Sequence, residues 1–154
     1  MEWSEVINNP LLQNLPFKIE LNKYGQILMS PASNRHGSLQ FTVGEKIKHK
    51  KRSGEAIIAC SIQTSDGVKV ADVAWASDAF IAIYGFEIPY RHAPEICVEM
   101  VSPSNSKEEI AHKVELYLAK GAKEVWVVTV EKHISYYDPT GEIAKPHLVK
   151  SIKL

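Results

Sequence analysis

Between residues 95 and 128 the chain reads EICVEMVSPSNSKEEIAHKVELYLAKGAKEVWVV, and no other stretch limits the fold as much. Glu95 to Val101 is dense in apolar residues, and Ser102-Pro103-Ser104-Asn105 cannot continue it as a strand. Ser106, with Glu109 three residues later, has the pattern of a capping box. Ile110, Val114, Tyr117 and Leu118 then recur at helical spacing until Gly121 closes the element. Val125-Trp126-Val127-Val128 is unbroken apolar, as suits a strand covered on both faces. Strand, capped helix and strand describe a right-handed crossover, so the two strands are expected to be parallel neighbours.

The rest of the chain extends this into a mixed α/β sheet flanked by helices. Ser4 to Asn14 predicts a short opening helix broken by Pro10. Phe17–Leu21 and Gln26–Met29, joined by Asn22-Lys23-Tyr24-Gly25, read as a hairpin. From His36 to about Lys51 the spacing of Leu39, Val43 and Ile47 is helical. Glu55–Gln63 and Val68–Trp75 are strands linked by a turn containing Asp66-Gly67. A short helix is expected around Asp78 to Ile83, and Ile134–Tyr137 with Pro139-Thr140-Gly141 suggests a hairpin at one edge.

With 154 residues, the chain fits one domain spanning 1–154. No segment has the ~18 apolar residues a spanning helix needs, so no membrane partner is expected. The acidic start Met1-Glu2-Trp3-Ser4-Glu5 is neither a secretory nor a transit segment, and Cys60 and Cys97 sit in apolar strands as small buried thiols do. The expected setting is the cytoplasm. Eighteen basic and eighteen acidic residues cancel, so no global charge points to nucleic acid. A local cluster, KIKHKKR from Lys46 to Arg52, reads equally as a phosphate contact and as a helix end, where cations suit the dipole.

Two carboxylates stand out. Asp72 in VKVADVAWA shares a face with Val68, Val70 and Ala74 if the strand alternates normally, and Glu99 lies near the end of an apolar strand. A lone carboxylate buried in either place needs a cation or hydrogen-bond partners. On adjacent strands the two can share one Mg²⁺, a hard cation that prefers oxygen ligands. Lys113 follows on the next helix, where it either reaches the acids or pairs with Glu109 one turn away. The residues leave both open.

Taken with VADVAWAS and IELNKYGQILMSPASNRHG upstream, the 95–128 stretch resembles the Uma family of restriction-endonuclease-like proteins, within the PD-(D/E)XK nuclease superfamily. The resemblance runs through nearly the whole chain, and its most specific piece is Glu-x-x-Ser-Pro-Ser, a Lys-x-x-x-Tyr helix and a Glu-x-Trp strand. It implies a restriction-endonuclease-like fold and phosphodiester hydrolysis in nucleic acid, DNA above all, dependent on Mg²⁺ or Mn²⁺. It also implies Asp72 and Glu99 as metal ligands, the Met100 carbonyl as a further contact, Lys113 as the catalytic lysine and Glu20 as an accessory carboxylate. Two positions depart from the pattern: Ala71 stands where proline precedes the aspartate, and Val101 where the strand lysine would be.

The alternative is a non-catalytic module, possible as a homodimer, that binds nucleic acid or protein and keeps the acids for structure. Arg35-His36 reads mainly as capping and surface. Cys97 has no hydrolase pattern around it, and His92, His112, His133 and His147 lack zinc-ligand spacing.

Overall fold

The computed structural model describes residues 1–154. A helix α1 (Trp3–Asn8) ends before a single 3-10 turn at Pro10–Leu12, so Pro10 divides the opening segment as its missing N–H requires. The hairpin β1 (Phe17–Leu21) and β2 (Ile27–Pro31) forms a two-stranded sheet of its own. Helix α2 (Asn34–Lys51) begins two residues earlier than its apolar periodicity shows, because Ser33 caps it by accepting from the His36 N–H.

The main sheet has six strands in sequence order: β3 (Glu55–Thr64), β4 (Gly67–Ala76), β5 (Ile96–Met100), β6 (Glu124–Val128), β7 (Ile134–Asp138) and β8 (Gly141–Ile143). Only β5 and β6 are parallel, joined through helix α4 (Lys107–Ala119); a shorter helix α3 (Asp78–Tyr84) follows β4. At α4 only half of the predicted capping box forms. Ser106 accepts from the Glu109 N–H, while the Glu109 carboxylate takes the Asn105 amide.

The sheet divides two apolar layers. On one side Ile110, Val114 and Tyr117 of α4 pack on Cys97, Val125 and Val127. On the other, Leu39, Val43 and Ile47 of α2 pack with Val73, Trp75, Val98 and Trp126, closed by Val149 and Ile152 of the C-terminal segment. No helix is long and apolar enough to cross a membrane. The basic run at the end of α2 has structural work: Lys48 donates to the Gly54 carbonyl, and Lys51 donates to the Leu148 carbonyl and lies over the Trp75 ring.

Strand β4 pairs with β3 along its length, but on its other side the ladder stops halfway. Its second half pairs with β5 only from Val73 to Trp75, against Val98 to Ile96. One step further Asp72 and Glu99 would be the next facing pair, and there the two strands part. The hairpin β1–β2 takes the vacated side of β4. Gly67, at φ +77°, lets it approach: a Cβ there would collide with the Leu21 and Asn22 carbonyl oxygens.

Candidate active site

The fork between β4 and β5 is where the chain gathers its buried charge. Asp72 is 2% exposed, Glu99 1% and Glu20 5%. Regular alternation fails at Asp72: Ala71 and Ala74, three residues apart, both pack in the α4-side layer, so the expected apolar face shared with Val70 does not exist. Strand β3 is irregular at the same level. Ala59, opposite Asp72 in register, adopts φ +56°, a left-handed conformation rarely used by alanine, and the ladder skips this pair. Freed from the ladder, the Asp72 carbonyl accepts from Gln40 Nε2 of α2 at 2.7 Å. Its carboxylate takes the role that a backbone carbonyl would have had, since Oδ2 accepts from the Met100 N–H at 2.7 Å.

The other oxygen, Asp72 Oδ1, lies 3.2 Å from Lys18 Nζ and 3.1 Å from His36 Nε2. Glu99 Oε2 lies 3.0 Å from the same Lys18 ammonium and 3.6 Å from Lys113 Nζ, while Oε1 accepts from the Tyr117 hydroxyl at 2.6 Å. Glu20 grips Lys113 with both oxygens, at 2.8 and 3.0 Å, and its Oε2 also accepts from the Val70 N–H at 2.6 Å. Val70 is thus paired by a side chain where β5 has left.

Asp72, Glu99, Lys18, His36 and Tyr117 all depart from their ordinary pKa values. Burial works to raise the Asp72 pKa, but the His36 hydrogen bond, the Lys18 and His36 charges and the Met100 N–H prevail and hold it at about 2. Glu99 goes the other way: burial raises it, and the attraction of Lys18 and Lys113 does not compensate beside Asp72 and Glu20. Burial also works against the Lys18 charge, yet Glu99, Asp72 and Glu20 raise its pKa above the ordinary lysine value. His36 is raised by its bond to Asp72, and Tyr117 by burial and then by Glu99.

Of the residues expected at the site, Asp72, Glu99, Glu20 and Lys113 converge. Lys113 faces the acids, and Glu109 turns instead to Asn105. Met100 contributes its N–H to Asp72. Four participants were missed: His36, Gln40, Tyr117 and Lys18. His36 is not the surface and capping residue expected, because it lies one turn before Gln40 on the α2 face turned to Asp72. Tyr117, assigned to the apolar stripe, has a hydroxyl that reaches Glu99. Lys18 carries one available signal, its position two residues from Glu20, which puts both side chains on one face of β1. Val101 packs against the α4-side layer and supplies no charge.

A family model described as Uma2, putative restriction endonuclease, matches residues 5–142. The chain belongs to the Uma2 family. Among solved structures it is similar to one described as a putative nuclease belonging to DUF820 from Anabaena variabilis. The TM-score is 0.66 with 17% identity, over 100% of this chain and 94% of the other. That likeness establishes the mixed α/β fold. No curated protein matches the chain. Within the Uma2 match fall Lys18, Glu20, His36, Asp72, Glu99, Lys113 and Tyr117, so the whole cluster is built from the family's own segment.

Asp72 and Glu99 fit a hard divalent cation by donor chemistry. Their facing oxygens already share one cationic group, the Lys18 ammonium. They do not form a cage, since no three His, Cys, Asp or Glu side chains stand together in metal-holding geometry. A pair of carboxylates is as many as Mg²⁺ takes from a protein when it keeps several waters.

Proposed function

We propose that this Uma2 protein is a divalent-metal-dependent nuclease that hydrolyses phosphodiester bonds, with DNA as the expected substrate and the cytoplasm as its setting. The observation that carries this reading is that Asp72 Oδ1 and Glu99 Oε2, from strands that separate at this point, hold a single cationic group between them at 3.2 and 3.0 Å. Asp72 and Glu99 would hold Mg²⁺ or Mn²⁺, with the Met100 carbonyl as a further ligand. When bound, the ion supplies acidification of water and neutralisation of charge on the phosphate.

The chain's own groups do the rest. Asp72 stays ionised because His36 and the Met100 N–H stabilise its charge. Tyr117 orients Glu99 by binding the oxygen turned away from Lys18. Lys113, held by both oxygens of Glu20, is aimed at the Glu99 side, where a cation steadies charge developing on a transferring phosphoryl group. The mouth is lined by Ser30, Pro31, Ser102 and Asn105, and a cleft of about 310 Å³ beside it carries Arg35 and Ser104.

The test is cleavage of single- and double-stranded DNA with Mg²⁺ or Mn²⁺ by the parent, Asp72→Ala and Glu99→Ala proteins. Cutting that needs metal and disappears in both variants is expected, together with a rise in Tm on adding Mn²⁺ that Glu99→Ala lacks. Equal traces of cutting in all three samples overturn the enzyme reading in favour of a module that binds without cutting.

A further inference from the structure

Lys18 stands where the proposed metal would have to go. Its ammonium lies between Asp72 Oδ1 and Glu99 Oε2, the two oxygens that face each other across the fork, and 4.0 Å from Glu20 Oε2. A divalent ion shared by the same oxygens would have to stand closer to each than the ammonium does. It would then overlap the ammonium in space and repel it in charge. The acids cannot yield instead. The Met100 N–H holds the far oxygen of Asp72 and His36 binds Oδ1 itself, while Tyr117 holds the far oxygen of Glu99, so both carboxylates are restrained in place.

Lys18 can yield. Its side chain is 16% exposed, more than either acid, and it lines the mouth of the site beside Ser30, Pro31, Ser102 and Asn105. It has a flexible four-carbon stem. Lys113 differs, because Glu20 grips it on both oxygens and it reaches Glu99 only at 3.6 Å. Of the two lysines, one is clamped aside from the shared position and the other occupies it.

We infer that Lys18 is a tethered counter-ion: it pairs Asp72 and Glu99 in the metal-free protein and swings out through the mouth when a divalent cation takes its place. This rests on the metal-dependent reading above. Two buried carboxylates that face each other at one point repel unless a cation lies between them, and the exchange supplies one before metal arrives. Its consequence is competition: Lys18 lowers metal affinity rather than contributing to it.

Two measurements test this. Mn²⁺ titration by calorimetry, comparing the parent with Lys18→Gln, should give tighter binding in the variant, by roughly tenfold, a usual size for coupling between ligands. In the unaltered chain, acetylation of amines followed by peptide mass spectrometry should show Lys18 reacting several-fold faster with Mn²⁺ than with EDTA, while exposed Lys145 and Lys150 stay constant. The second measurement stands even if Lys18→Gln does not fold. Mn²⁺ binding by the parent with equal or weaker binding by Lys18→Gln, or Lys18 labelling that is unchanged or falls, overturns the exchange and leaves the metal site standing. No Mn²⁺ binding by either protein overturns both.

Discussion

Two glutamates on neighbouring parallel strands, Glu99 on β5 and Glu124 on β6, are almost equally buried, yet their surroundings differ in kind. Glu124 receives only neutral donors: the Trp126 indole at 3.1 Å and the backbone N–H groups of His147 and Leu148 at 2.6 and 3.1 Å. It fastens the C-terminal segment to the sheet. Glu99 receives a phenol and two ammonium groups, with a second carboxylate held across the same cation. Burial does not separate a purely structural acid from the one proposed to do chemistry. The donors do: backbone N–H groups are fixed in place and carry no net charge, whereas ammonium groups on long stems can move and be replaced.

The sharpest way to break this contrast is to remove each glutamate. Glu124→Ala strips three donors of their acceptor and should lower unfolding free energy by about 2–4 kcal/mol, leaving metal-dependent cutting intact in the folded fraction. Glu99→Gln should stay within about 1 kcal/mol of the parent in stability, because Lys18 keeps Asp72 and Lys113 keeps Glu20, so neither ammonium is left unpaired. It should lose cutting on the order of a hundredfold or more. Urea denaturation and cleavage assays on both variants decide it, and matching profiles would dissolve the distinction.

A smaller effect is expected at Gln40, which touches Asp72 only through its carbonyl. Gln40→Ala leaves that carbonyl unpaired, at a cost of about 1–3 kcal/mol. If Gln40 serves to hold Asp72 in place, Mn²⁺ affinity falls as well. A change in stability with unaltered affinity would restrict it to the fold.

The smallest effect is in the pH dependence of the metal-free protein, where the two acids of the fork act with opposite sign. Asp72, at about 2 against an ordinary 3.8, binds its proton less readily when folded; its stabilisation is present above pH 4 and fades as pH falls toward 2. Glu99, raised above 4.5, binds its proton more readily when folded, so its contribution is lost as pH rises through that raised value. Urea midpoints measured against pH in EDTA should show Asp72→Asn flattening the acid limb. Glu99→Gln should flatten the loss at higher pH.

The elements were largely legible in the chain because their causes are local. The spacing of Ile110, Val114 and Tyr117, the Ser106 cap, Gly121, and the Asp66-Gly67 turn act within a few residues of themselves. The crossover followed from handedness, and β5 and β6 are parallel as expected. Asp72, Glu99, Glu20 and Lys113 were readable by residue type and by resemblance, since a carboxylate in an apolar run signals a need for partners. The partners themselves were not readable. Gln40 and His36 come from α2, Lys18 from β1 and Tyr117 from α4, and each reads as ordinary in its own segment.

By itself, the sequence determined a mixed α/β fold with a parallel crossover, and which acids would be stranded in apolar strands. Only the tertiary structure decided that β4 and β5 part at Asp72, that Ala59 turns left-handed opposite it, and that Lys18 fills the opening. The physical reason is that charge pairing acts through space. Lys18 and Glu99 are 81 residues apart along the chain, and no local propensity encodes their 3.0 Å contact.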